Sequence, residues 1–541
     1  MHFELSLSPE AAAALPRLPL VARSRAETAP AQTLPVAGGR HAAEPARPGE
    51  GEDAGTRDTP AAGIVPADLG AARPRTGRAR LVRRRIVWHD SPDRRLAAAG
   101  LALAEERGVW RLERLVPAAE SWPPGAPAPI LGEGADPARL ACADGSPLPT
   151  PLAPIAAFEG QVTEHVLATE DGPVVVHRLR GLLRAVAAER AVARVTLTGP
   201  DDAIRHAART LVDALDAEVP RATLAGEALS VATAQPPPPR RLGAPDLPGE
   251  LSVAAAFGHV VGHLTDVILH HAPVAADPRS LPDAVHQARV AVRRLRSAIA
   301  VFRPAIGCDA VTEADRHLRM LARALGPARD WDVFMTETAP AIAGVLPDDE
   351  RLQRLLAAGA RRRTACHAAL TEHLESAAFR RCAVDLAWLA GAQSWHDTIP
   401  EERLAERDRP LTAFAAIVLQ RRLKKLRGAG KLIEELGVPA LHGVRLRAKR
   451  MRYAAEILAP LFPAKPARRF IAQLAVLQAR LGVLNDGAVA AQLMAELGGA
   501  TGRHAYAAGL VTGFATARQA TIRPRIIRAW EKFLRQDSFW A

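Results

Sequence analysis

The residues best equipped for chemistry form a run of cations at helical spacing. In VHQARVAVRRLRSAIAVF, residues 285–302, His286, Arg289, Arg293 and Arg296 fall at i, i+3, i+7 and i+10, with Arg294 flanking them. At 100° per residue this is one narrow stripe, while Val285, Ala288, Val292, Leu295, Ile299 and Phe302 make a separate packing face. A line of guanidinium groups suits phosphate oxygens, which each group can grip through two N–H donors. A single basic stripe is usually just a solvated helix face. Here there is a second copy. In LHGVRLRAKRMRYAAEIL, residues 441–458, His442, Arg445, Lys449, Arg450 and Arg452 each lie 156 positions after His286, Arg289, Arg293, Arg294 and Arg296. The same offset carries Leu325-Gly326-x-x-Arg329-Asp330 onto Leu481-Gly482-x-x-Asn485-Asp486, which marks an internal duplication.

The two helices resemble the CHAD family, a helical module named for its histidines. They match its H-x-x-R-V-A-x-R-R-L-R and H-x-x-R-x-x-x-K-R-x-R-Y signatures, and Leu325 to Val333 and Leu481 to Asp486 match its L-G-x-x-R-D-x-D-V and L-G-x-L-N-D segments. The resemblance covers residues 250–541. It implies two pseudo-symmetric four-helix bundles whose facing basic helices line a channel that binds inorganic polyphosphate. The contacts it implies are His286, Arg289, Arg293, Arg294, Arg296, Arg329, His442, Arg445, Lys449, Arg450 and Arg452.

Other chemistries fit these residues less well. Neither His286 nor His442 has a nucleophile or a spaced ligand set beside it, so no catalytic residue is assigned. A divalent ion held by the histidines with Asp330 and Asp486 would be repelled by the surrounding cations, so neither a metal nor a cofactor is expected. Asp330 and Asp486 read instead as helix N-caps or first-turn acids. Single-stranded nucleic acid calls for aromatics among the basic residues. Aromatic content is 4%, with none inside 285–301 and only Tyr453 in the second stripe. No Gly-rich loop ending in Lys-Ser or Lys-Thr suggests a nucleotide-hydrolysing P-loop.

The whole chain fits a polyanion partner. Its 541 residues carry a net charge of +13, nearly all from arginine, since the first lysine is Lys424. Cys142, Cys308, Cys366 and Cys382 show no C-x-x-C spacing and fit a reducing compartment. The opening MHFELSLSPE is unlike a signal peptide, and no stretch approaches 18 uninterrupted apolar residues. A cytoplasmic protein is expected, without a membrane partner.

Several elements must position these residues. Residues 1–230 alternate strand-like runs, among them His2–Leu7, Arg85–Asp90, Val109–Leu115, Val174–Val176 and Val192–Thr198, with a helix at 201–217. Residues 24–77 lose all periodicity and read as a disordered insertion. The order resembles a degenerate CYTH domain, the triphosphate-tunnel fold. Where that family has E-x-E-x-K the chain has His2, Glu4 and Ser6; where it has an arginine pair, Ala104 and Glu106; where it has late carboxylates, Arg194, Thr196 and Thr198. The substitutions imply a kept fold and lost metal-dependent hydrolysis. Residues 231–249 are proline-rich and read as a semi-rigid linker. From residue 250 the pattern is helical, with a break expected near 326–330 and another near 483–485.

The expected fold is therefore mainly α, a duplicated pair of four-helix bundles behind a smaller α+β CYTH-like barrel. The expected function is non-catalytic polyphosphate binding in the cytoplasm, including at polyphosphate granules. Two rivals are a CYTH-type inorganic triphosphatase with substituted ligands and a storage-granule scaffold whose partner is another protein.

Overall fold

The computed structural model describes residues 1–18, 81–118, 122–142, 144–277, 282–499 and 501–540; the segment 24–77 lies outside them. The amino-terminal part is an eight-stranded antiparallel sheet in the order β1-β8-β7-β6-β2-β3-β4-β5. The strands are β1 (His2–Leu7), β2 (Leu81–Asp90), β3 (Leu101–Glu106), β4 (Val109–Arg114), β5 (Ile130–Gly134), β6 (Ala153–Thr169), β7 (Gly172–Arg184) and β8 (Glu189–Thr198). In β1 the alternation predicted from sequence is realised, with Phe3, Leu5 and Leu7 buried. Helices α1 (Pro9–Ala14), α2 (Arg95–Ala98), α3 (Asp201–Leu215) and α4 (Leu224–Thr233) cover the sheet. The Asp90 carboxylate fixes the β2-to-α2 turn by accepting from the Ser91, Leu96 and Ala97 amides at 2.7, 2.9 and 3.1 Å.

The sheet is curled. Six inter-strand steps separate β1 from β4, which in a flat sheet would be about 29 Å at 4.8 Å per strand. Yet Glu4 on β1 lies close enough to Glu113 on β4 to act on its ionisation. The outer edge of β1 is not left open, because the Glu4 and Ser6 amides donate to the Gly125 and Glu218 carbonyls at 2.6 and 2.8 Å.

From residue 253 the chain is helical: α5 (Val253–Ala276), α6 (Asp283–Ile306), α7 (Asp309–Val333), α8 (Ala339–Ala343), α9 (Glu350–Glu375), α10 (Ala377–Gly391), α11 (Leu404–Arg407), α12 (Leu411–Ala429), α13 (Val438–Leu458), α14 (Ala464–Glu496), α15 (Ala505–Ala520) and α16 (Arg523–Leu534). The duplication is visible in the architecture. Helices α12, α13, α14 and α15 begin within two residues of where a shift of 156 would place α5, α6, α7 and α9. Each set packs on itself, and the two sets meet where α6 packs on α13. Phe302 on α6 anchors that junction, with its ring 5.7 Å from both Phe257 on α5 and Phe414 on α12. Helix α5 is long and apolar enough to cross a membrane by composition, but 83% of its most apolar window is buried against neighbouring helices. It is the central core helix.

Two expectations fail here. No break falls near 326–330: α7 runs through Gly326 and Pro327 and joins α8 by a π turn at Phe334–Thr338. Likewise α14 passes uninterrupted through Gly482 and residues 485–486. Asp330 therefore sits in a helix interior and caps nothing. Glycine and proline cost about 1 and 3 kcal/mol in a helix, but packing of α7 on α6 and α9, and of α14 on α13, α15 and α16, outweighs that local preference.

The two parts share one hydrophobic core that runs from Phe3 and Leu5 through α3 into α5 and α10. Charge also crosses the seam. Arg205 and Arg209 on α3 donate to the buried Asp385 of α10 at 3.0 and 2.7 Å and to Glu313 of α7 at 2.8 and 3.0 Å. The proline-rich stretch expected as a spacer is packed rather than free. Arg240 and Arg241 bury their guanidinium groups against Asp266 of α5 at 2.9 and 3.1 Å, and Arg240 lies 4.1 Å above the Trp122 ring.

Candidate functional site

Where α6 meets α13, a cavity of about 530 Å³ opens between the two basic stripes. Arg289, Arg293 and Arg296 reach it from α6, and Lys449 and Arg450 from α13. The apolar face that seats α6 in the core fixes this direction, because Val285, Ala288, Val292, Leu295 and Ile299 are all buried. Arg293 is half-buried. Its guanidinium carbon lies 4.9 Å from the centre of the Tyr453 ring, on the facing helix. Burial pulls its pKa below the usual arginine range. Its Nε and the Tyr453 hydroxyl are both buried with no hydrogen-bond partner. Two unsatisfied polar groups beside one cavity are costly, and a bound acceptor would relieve the cost at Arg293.

The other stripe residues are placed differently. Arg289 faces Asp330 of α7 at 3.6 Å. Gly326 makes room for it, since a Cβ there would stand 3.3 Å from an Arg289 terminal nitrogen. Arg296 is engaged by Asp315 at 3.0 Å, which also holds Arg319 at 3.2 Å and Arg303 at 3.8 Å. His286 lies one turn before Arg289. Burial first, then Arg329, lower its pKa, so it is neutral at pH 7. His442 is exposed, and Arg452 pairs with Glu456 at 2.7 Å. His286, Arg294, Arg329, His442, Arg445 and Arg452 are not among the residues that line this cavity. Asp330 faces arginine, which disfavours a metal there, and the side chain of Asp486 lies outside the described residues.

Two cations at the cavity were missed in the sequence reading. Arg303 continues the α6 stripe seven residues beyond Arg296, so its signal was present. Arg422 comes from α12, where Arg421, Arg422, Lys424, Lys425 and Arg427 crowd one short run. It has no cationic counterpart in the first repeat, because 156 positions earlier stands Asp266. Arg422 donates to the Arg450 and Ala300 carbonyls at 3.0 and 2.9 Å, so it is held between the two stripe helices. Burial and the neighbouring Arg450 pull its pKa down to about 10.

The amino-terminal sheet carries a second charged cluster. Glu106 accepts from Arg84 at 2.6 Å and from Arg111 at 3.4 Å, and Arg194 pairs with Glu4 at 3.3 Å and Glu227 at 2.6 Å. Glu113 lies among them. Burial pushes its pKa up to about 7, helped by Glu4 and Glu106 and opposed by Arg111 and Arg84. Among the described residues, one group of His and acidic side chains is close enough to share a metal: Glu313, His317 and Asp385. It lies at the seam between the two parts, and Arg205 and Arg209 already occupy its carboxylates.

The family model for the CHAD domain matches residues 253–495. This region is a CHAD domain. Two uncharacterized proteins, from two strains of Mycobacterium tuberculosis, are 33% identical over 182 residues, which is 32% of this chain and 34% of each relative. The chain thus spans about a third of the length of these curated relatives. A crystal structure of the CHAD domain from the plant Ricinus communis is similar at 28% identity and a TM-score of 0.48, over 56% of this chain and 98% of that one.

Proposed function

We propose that the CHAD domain of this protein binds inorganic polyphosphate, without catalysis, in the cavity between α6 and α13. The observation that carries this reading is the convergence of Arg289, Arg293, Arg296, Lys449 and Arg450 from two repeats on one cavity whose lining, among the described residues, includes a single carboxylate, Asp315. A row of cations fixed on two rigid helices matches an evenly spaced polyanion, and contact with phosphate is then the main source of affinity. Nucleic acid is the weaker partner. Tyr453, the aromatic nearest the cations, is buried beneath Arg293 and offers no open face to a base. The setting we propose is cytoplasmic, including polyphosphate granules; a granule scaffold that binds another protein would bind equally well after polyphosphate is digested.

We also propose that the amino-terminal part is a CYTH-like fold without triphosphatase activity. The support is that Arg84 and Arg194 are spent on Glu106, Glu4 and Glu227, and that among the described residues these acids form no group close enough to share a metal. Titration of the full chain with long-chain polyphosphate, and then with single-stranded DNA of equal charge, tests the binding reading. Saturable binding of polyphosphate, at least tenfold tighter than DNA, is expected. Equal affinity for both would replace the reading with general polyanion binding.

A further inference from the structure

A second, larger cavity of about 890 Å³ lies on the other side of Arg422. Its cations are Arg421, Arg422 and Lys425 from α12 and Arg447 and Arg450 from α13, above a floor that includes Val301, Pro304 and Val418. Three residues, Ala300, Arg422 and Arg450, line both cavities. They are also the groups tied together by the two hydrogen bonds of the Arg422 guanidinium. That guanidinium is half-buried and held by main-chain carbonyls; no carboxylate pairs with it among the described residues, and the charge acting on it is the like charge of Arg450. A half-buried cation with no counter-ion among the described residues, shared by two basic cavities, marks a place where an anion would be stabilised on either side.

The duplication is broken at this place. The position matching Arg422 in the first repeat is Asp266, which is sealed against Arg240 and Arg241 under the amino-terminal part. The positions matching Arg421 and Lys425 are Thr265 and Leu269, both buried. The basic surface therefore extends past the junction on the α12 side, where Arg421, Lys425 and Arg447 are exposed.

We infer that the two cavities form one continuous polyphosphate site with Arg422 at its junction, so that the protein selects for chain length. This rests on the polyphosphate reading of the first cavity. At about 530 Å³, the first cavity has room for a short run of phosphates. A chain that outgrows it passes Arg422 and gains the cations of the second. Tripolyphosphate is held in the first alone.

The test compares tripolyphosphate with long-chain polyphosphate on the full chain, by titration calorimetry at fixed salt. The variants are Arg421→Ala with Lys425→Ala in the second cavity, and Arg289→Ala with Arg293→Ala in the first. Arg468→Ala with Arg469→Ala is the control, since both are exposed and line neither cavity while removing the same charge. The second-cavity pair is expected to weaken long-chain binding about tenfold or more beyond the control and to leave tripolyphosphate within about twofold. Equal weakening at both lengths, or no weakening of long chains beyond the control, overturns the continuous site. Failure of the first-cavity pair to weaken either ligand overturns the underlying polyphosphate reading instead. Thermal melts confirm folding; because Arg421 and Lys425 are exposed, their midpoints should match wild type.

Discussion

Removing the one carboxylate from the first cavity should tighten polyphosphate binding. Asp315 lines the cavity against seven cationic side chains, for a net charge of about +6, and engages Arg296, Arg303 and Arg319. Asp315→Asn keeps the shape and an oxygen acceptor for Arg296 while releasing one unit of positive charge. At roughly −0.7 per phosphate contact, six net cations give a log-log salt slope of about −4 for wild type, and the variant should steepen it by about 0.7. One charge-assisted contact is worth about 1.5–3 kcal/mol, so affinity at low salt should rise by about tenfold or more. The arginines that Asp315 engages are each more than a third exposed, so such pairs contribute at most about 1 kcal/mol each to stability. Melting should shift only modestly. The assay is calorimetric or fluorescence titration across a salt series. If a folded Asp315→Asn protein binds no more tightly, with an unchanged slope, Arg296 and Arg303 do not meet phosphate.

Three further outcomes follow from particular residues. Burial would raise the pKa of Asp385, but hydrogen bonds from Arg209 and Arg205, their charges and the His317 ring 3.1 Å away pull it down to about 2. A depressed carboxylate stabilises the fold above its unfolded pKa near 3.9 and loses that contribution as pH falls toward 2. Acid melts should show a loss on the order of 2–3 kcal/mol over that window, and this portion should be missing in Asp385→Asn; identical acid profiles would refute the assignment. His286 is neutral at pH 7, so if it faces bound phosphate, affinity for long chains should rise as pH falls below the ordinary histidine range, by up to about tenfold per unit. A pH profile equally steep in His286→Ala would remove it from the site. The amino-terminal part should release no phosphate from tripolyphosphate with magnesium or manganese, and metal-dependent turnover abolished by Glu4→Ala would contradict that.

The repeat was legible because it rests on residue identity: His286, Arg289 and their partners recur at fixed spacing wherever the helices begin. The helix breaks expected near 326–330 and 483–485 do not occur, because local propensity favours a stop there and only tertiary packing carries α7 and α14 through. Strand β6 went unread because it is half-exposed and lacks clean alternation. Arg422 was missed for a different reason. Its meaning comes from lying between α6 and α13, a long-range fact, and the duplication that exposed the other cations has Asp266 at its place. Glu113 likewise looks like an ordinary strand acid until the sheet curls to bring Glu4 near it. Arg240 and Arg241, in a segment read as a spacer, proved to be buried partners of Asp266.

The central claim is tested most directly by polyphosphate titration of wild type and of Arg289→Ala with Arg293→Ala over a salt series. Two lost contacts should flatten the log-log slope by about 1.4 and weaken binding on the order of a hundredfold or more at low salt. The fold should persist, because neither side chain lies on the apolar face of α6. A folded double variant with wild-type affinity and slope would contradict the claim, and would show that the duplicated stripe is a solvated surface.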